Sequence, residues 1–218
     1  MITRSEENYL KAIFTVHMQT KKNVSTNDIA NLLDTSPASV TEMIKKLQEK
    51  KLVIYEKYNG VKLSSKGKDN AINTIRKHRL WETFLVNKLD FSWSEVHDVA
   101  EQLEHIKSNK LTDKLDHFLN YPKFDPHGDP IPTKNGVFNF QERISIFEMD
   151  INEEGIIMGV SLDNKDFLDH LTNLKISIGT RVRVLEQIKF DQSMKITYDS
   201  RIEHISKEIA ENILIKFN

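Results

Sequence analysis

Cysteine is absent from the 218 residues, which excludes disulfides, thiolate metal ligands and cysteine nucleophiles together. No apolar run approaches the roughly 20 residues that span a bilayer. The opening stretch, MITRSEENYLKAIF, holds no short apolar core ending at small residues, so an unprocessed, cytoplasmic chain is expected. A Gly-rich phosphate loop, a nucleophile elbow and paired acids at catalytic spacing are also missing. Neither an enzyme nor a binder of small organic substrates is expected. Glycine and proline are scarce, at 7 and 5, and four of the prolines with two of the glycines fall between Tyr121 and Gly136. That stretch reads as a linker or ordered loop.

The formal net charge of −1 conceals a split. Met1–Leu80 carries 15 Lys and Arg against 8 Asp and Glu, and the remainder carries 16 against 24. A basic N-terminal part on a neutral chain suits a polyanion-binding module joined to something with another task.

The apolar spacing of Tyr9, Leu10, Ile13 and Phe14 predicts a helix over about 5–19. Ser25 caps a second helix burying Ile29, Leu32 and Leu33. Ser36 caps a third, with Pro37 at its first position, where no amide hydrogen is missed. Val40, Ile44 and Leu47 turn inward. Two helices joined by a short turn form a helix-turn-helix. Its second helix offers Ser36, Pro37, Ala38, Ser39, Thr41, Glu42 and Lys45 to base edges, and Ser25 and Thr26 open the first. Asn59-Gly60 between β-prone runs predicts a hairpin, the wing, whose Lys57 and Lys62 would meet phosphates. A trihelical protein-interaction domain shares some of these features, but helix, turn, helix, hairpin and positive charge together favour double-stranded DNA.

A long helix over 65–89 would bury Ile72, Ile75, Trp81, Phe84 and Leu85, and it sets His78 and Glu82 one turn apart. The next, SEVHDVAEQLEHI, is expected to be largely buried. It places His97, Glu101, Glu104 and His105 at roughly 0, 40, 340 and 80°, within one stripe. Buried charge needs a partner, and carboxylates with imidazoles suit Mn2+ or Fe2+, with Zn2+ and Co2+ also accepted. Solvated His–Glu pairs give the same spacing, and a metal-dependent hydrolase uses the same residue types. A hydrolase also needs an open coordination position beside a separate base, and none is apparent. Beyond the proline-rich stretch, strands are expected over 144–149, 155–162, 180–187, 194–198 and 213–217, with a helix over 165–174. Several short strands in so few residues fit a small barrel.

SEENYLKAIF, SPASVTEMIKKLQEKKLV, RKHRLWETFL, VHDVAEQLEH and YPKFDPHGDPIP occur in the order found in the DtxR/MntR family of metal-dependent transcriptional repressors. The sequence resembles that family well over about 1–136 and more loosely beyond. The resemblance implies a mainly α fold with a C-terminal β part. Its divisions are a winged helix-turn-helix at 1–65, a helical dimerisation and metal-binding domain at 66–136 and an SH3-like (FeoA-like) barrel at 137–218. It further implies a homodimer on a palindromic operator, repressing metal-uptake genes. A primary metal site would use Glu101, Glu104 and His105, completed by Asn8. Manganese-type relatives carry aspartate there, so one negative charge is gone, and Glu7 is an alternative donor. A second site would use His78, Glu82 and His97, with Asp125 and His127 nearby and Asp163 or Asn164 from the C-terminal part. Loss of metal control in a winged-helix factor is the alternative that Asn8 keeps open.

Overall fold

A computed structural model describes residues 2–56 and 59–217. The chain divides into two compact units. One comprises Met1–His78, Glu101–Lys114 and Pro132–Phe138, and the other Arg79–Ala100, Leu115–Ile131 and Asn139–Asn218.

In the first unit, helices α1 (Arg4–Thr20), α2 (Thr26–Leu32) and α3 (Pro37–Glu49) precede a hairpin of β1 (Val53–Glu56) and β2 (Gly60–Leu63). Each helix starts where its sequence supplies a cap. Thr3 with Glu6 and Ser25 with Asp28 form capping boxes, and the Ser36 side chain accepts from the Ser39 N–H. Leu10, Ile13, Ile29, Ile44, Leu47 and Leu52 are fully buried and hold α1, α2, α3 and the wing around one core. Leu32, expected inside, is 51% exposed, because the core side of the two-turn helix α2 is taken by Ile29 and Ala30. The hairpin forms, but Gly60 already pairs with Glu56, and the Asn59 N–H closes the reversal onto the Glu56 carbonyl. Gly60 has φ +86°, and a Cβ there would lie 2.7 Å from the Val24 carbonyl oxygen. Only glycine permits that approach, which lets Val24 pair with Val61.

Helix α4 (Ser65–Leu89) has its expected bounds, but α5 (Val96–Leu103) is shorter than its sequence suggested. It stops before Glu104 and His105, and its buried residues are Val96 and Ala100 alone among those described. Ile106 is exposed. Helix α6 (Asn109–Phe118) follows.

The second unit contains β3 (Ile144–Ser145), β4 (Glu154–Val160), α7 (Lys165–Leu174), β5 (Arg181–Gln187), β6 (Met194–Tyr198), β7 (Arg201–Ile205), α8 (Lys207–Asn212) and β8 (Ile213–Lys216). The strands form one antiparallel sheet in the order β3-β8-β4-β5-β6-β7. Among the described residues no pairing joins β3 to β7, so closure into a full barrel is not observed. Met194, Ile196 and Tyr198 alternate inward from β6 onto a core that includes Leu168 and Leu171 of α7. The run expected to be a strand to Met149 turns at Ile146 into a 3-10 helix, because the Ser145 N–H and hydroxyl both donate to Glu148, at 2.8 Å each. No described helix is long and apolar enough to cross a membrane.

Candidate metal centres and nucleic-acid interface

In the first unit, α1 supplies Glu7, Asn8 and Lys11, α4 supplies Lys77 and His78, and the end of α5 with the following turn supplies Glu101, Glu104 and His105. Glu104 is fully buried. Its Oε2 receives His78 Nδ1 at 2.6 Å and Lys11 Nζ at 2.7 Å. Burial alone would raise its carboxyl pKa, but His78 and Lys11 hold it below the usual carboxylate range. His105 Nδ1 lies 2.6 Å from Glu7 Oε2 and so donates to it, which turns Nε2 toward Glu104 Oε1 at 3.7 Å. Glu7 thus acts as the outer carboxylate that orients an imidazole, as carboxylates do behind metal-bound histidines.

Asn8 donates from Nδ2 to Glu101 Oε1 at 3.4 Å. The opposite amide orientation would set two oxygens against each other. Asn8 Oδ1 and Glu104 Oε1 are both buried with no hydrogen-bond partner. Two such oxygens cost about 1–3 kcal/mol each, and a divalent cation is the group that would satisfy both. The donor set therefore fits a metal, although Lys11 competes for the same carboxylate.

In the second unit, Glu82 from α4 meets Asp125 and His127 from the loop before β3. All three are buried, with one ligand-type atom from each within 4.8 Å of the others. His97 Nδ1 lies 3.5 Å from Glu82 Oε1. His127 Nε2 is 2.7 Å from the Trp93 carbonyl and so donates to it, which turns Nδ1 toward Glu82 Oε2 at 3.7 Å. Asp125 Oδ1 accepts the His127 and Asp129 backbone N–H groups at 2.9 Å. Arg79 pins the loop, donating to Asp129 Oδ2 at 2.7 Å and the Pro130 carbonyl at 2.6 Å. Asp163 is exposed in the loop before α7. Asn164 accepts from the Phe167 N–H as the α7 cap. Trp93 Nε1 donates to the Thr172 hydroxyl, and its ring stacks on His127.

Burial pushes the Asp125 carboxyl up to about 7, aided by the repulsion of Glu82 and Asp129. Burial would lower His127, but the Glu82 carboxylate outweighs it and holds the imidazolium up to about 9. Both groups must lose a proton to become ligands, so metal uptake here releases protons and strengthens as pH rises. Between pH 6 and 8 the Mn2+ affinity of this site is expected to rise about tenfold per pH unit for each proton released. Calorimetric titration in two buffers of different ionisation enthalpy counts those protons. A pH-independent affinity would contradict the assignment.

On α3, Ser36, Pro37, Ala38, Ser39, Glu42 and Lys45 are exposed or half-buried, and Thr41 is half-buried with its hydroxyl donating to the Pro37 carbonyl. Ser25 is engaged as a cap with Asp28, and Thr26 is half-buried beside it. Lys62 is exposed on β2. Lys57 lies outside the described residues.

Residues 1–61 match the iron dependent repressor N-terminal DNA binding domain, 64–133 the iron dependent repressor metal binding and dimerisation domain, and 145–216 the FeoA domain. The HTH-type transcriptional regulator MntR of Oceanobacillus iheyensis is 34% identical over 125 residues, which are 57% of this chain and 84% of that protein. The chain belongs to the iron-dependent repressor (DtxR/MntR) family. Among solved structures, a manganese-dependent transcriptional repressor in complex with manganese superposes with a TM-score of 0.87 at 32% identity, covering 98% of this chain and all of the other. A probable metal transport system membrane protein of Chlamydia trachomatis is 43% identical over 72 residues, and the chain spans only 16% of its length.

Sequence reasoning on this family member missed Lys11, Lys77 and Arg79. Each sits within four residues of a named candidate, and RKHR already set positive charges around His78.

Proposed function

We propose that the protein is a cytoplasmic repressor that binds a palindromic operator as a homodimer when loaded with Mn2+ or Fe2+, and that it controls metal-uptake genes. The reading assigns 1–65 to DNA, 66–136 to metal and dimerisation, and 137–218 to the FeoA-like domain. The observation that carries it is the buried group of Glu82, Asp125 and His127, with the second N–H of its imidazole already donated to a backbone carbonyl. Donors made only of carboxylate, imidazole and amide oxygen favour hard ions such as Mn2+, while Zn2+ and Co2+ remain accessible in vitro.

A bound ion would supply positive charge where Asn8 and Glu104 leave buried oxygens without donors. The chain's own part is mechanical. Asn8 rides on α1, and α1 shares one core with α3 through Leu10, Ile13, Ile44 and Leu47. Fixing α1 against Glu101, Glu104 and His105 therefore fixes the helix that reads bases. A dimer must hold two such helices about 34 Å apart, and a coupling of about 1–3 kcal/mol changes DNA affinity about 5–150-fold.

Fluorescence anisotropy with DNA upstream of its own gene and of neighbouring transporter genes tests this at one fixed salt concentration. Binding that requires Mn2+ or Fe2+ supports the repressor. Equally tight binding in chelator would support a winged-helix factor without metal control, the second reading, which the contact of Lys11 with Glu104 favours. Lys62→Ala is expected to weaken all sequences alike and to lower the salt slope by about 1, whereas Glu42→Ala changes preference among operators by about 1–3 kcal/mol. Competition titrations at several salt concentrations separate the two.

A further inference from the structure

The Lys11 ammonium lies 2.7 Å from Glu104 Oε2 and 3.2 Å from His78 Nδ1. It therefore stands among groups that the metal reading requires as ligands. Its side chain is 21% exposed, while that of Glu104 is 0% exposed, so the lysine reaches inward to an acid that cannot reach out. Lys77, itself buried, adds a second positive charge, felt by Glu7 and Glu104. Glu104 thus faces both ammonium groups and Glu7 one of them, while Glu101 meets the neutral Asn8. Among the described residues no three of Glu7, Glu101, Glu104 and His105 bring a ligand atom each within 4.8 Å of one another. With Lys11 in place these donors remain short of a closed metal shell.

We propose that Lys11 is a built-in counter-cation, which neutralises Glu104 in the metal-free protein and must leave it before a divalent ion can bind. Lys11 then sets the metal concentration at which this site fills. The inference rests on the metal reading of Asn8, Glu101, Glu104 and His105. It gives that reading a threshold: an internal cation at hydrogen-bond distance competes with every external one. Because the ammonium is tethered to α1, its exchange for metal also alters the link between α1 and the turn that carries Glu104, the link on which DNA binding depends.

The test is Mn2+ titration of the full chain, read by electron paramagnetic resonance of the free ion, with thermal unfolding in chelator and in Mn2+. Wild type, Lys11→Met, Lys11→Arg and Glu104→Ala are compared. The ions lost in Glu104→Ala belong to this site. Lys11→Met is expected to tighten that class about tenfold or more, as removal of one like charge at such a distance does. It should also lower the unfolding temperature in chelator while widening the gain on adding Mn2+. Lys11→Arg restores the weaker affinity. If Lys11→Met does not fold, Lys11→Gln, which keeps a donor to Glu104, takes its place. Unchanged or weaker Mn2+ binding in a folded neutral variant would overturn the proposal while leaving the site intact. Loss of no Mn2+ in Glu104→Ala would instead remove the metal reading of this site, and the proposal with it.

Discussion

Glu104→Gln is expected to remove the response of DNA binding to metal, leaving operator affinity in Mn2+ equal to that in chelator. The loss is the whole coupling, about 5–150-fold. Glutamine keeps the volume and one oxygen but surrenders the charge on which both a metal and Lys11 depend. Three observations converge on this residue. Glu104 is fully buried, its Oε2 holds His78 and Lys11, and its Oε1 has no hydrogen-bond partner. The substitution also breaks a buried ion pair, and such losses reach about 3–5 kcal/mol. Chemical denaturation should therefore accompany the binding assay, so that unfolding is not read as lost coupling. A folded Glu104→Gln protein that still gains DNA affinity on adding Mn2+ would move the response to Glu82, Asp125 and His127.

Gly128→Ala should destabilise the protein by about 3 kcal/mol or more and empty the second candidate site. Gly128 has φ +87°, and a Cβ there would lie 2.1 Å from the Met158 carbonyl oxygen and 2.5 Å from Gly159 Cα. Backbone cannot yield as a side-chain tip can, so the loop between Asp125 and Asp129 would have to move off β4. The Val160 N–H of β4 donates to the His127 carbonyl, and the His127 N–H donates to Asp125 Oδ1, so the ligand group moves with the loop. Gly179 serves as control, because its φ is +91° and a Cβ there would meet nothing within 4 Å. Gly179→Ala bears only the conformational cost, about 1 kcal/mol. Urea denaturation of both variants separates steric collision from strained backbone. Equal losses would show that Gly128 is not held against β4.

The legible parts of the fold are those where one local signal decides. Helices α4 and α7 and strand β6 occupy their expected spans, because caps, helical spacing or strict alternation coincide with burial there. Strand β7 was not legible, since RIEHI alternates poorly and only Ile205 is buried. Helix α8, with six residues and Ala210 buried, is too short for a period to emerge. The sites were legible in their residue types, and the sequence also set Glu82 beside His97, Asp125 and His127; the stripe projected along α5 was not the grouping observed. Helical projection placed His97 on a stripe with Glu104 and His105, yet α5 ends at Leu103, so the projection fails for the two residues that matter most. His97 meets Glu82 instead. The roles of Lys11 and Arg79 depend on contacts 93 and 50 residues away, which no periodicity encodes. Nor does adjacency in sequence show that Glu7 orients His105 while Asn8 keeps a bare oxygen.

Metal and DNA binding are held to share one free energy, and linkage makes that testable from the metal side. The measurement is Mn2+ affinity of the full chain with and without saturating operator DNA, at fixed pH and salt. DNA is expected to tighten Mn2+ binding by the same factor by which Mn2+ tightens DNA binding, about 5–150-fold. Identical Mn2+ affinity in the presence and absence of DNA would contradict it.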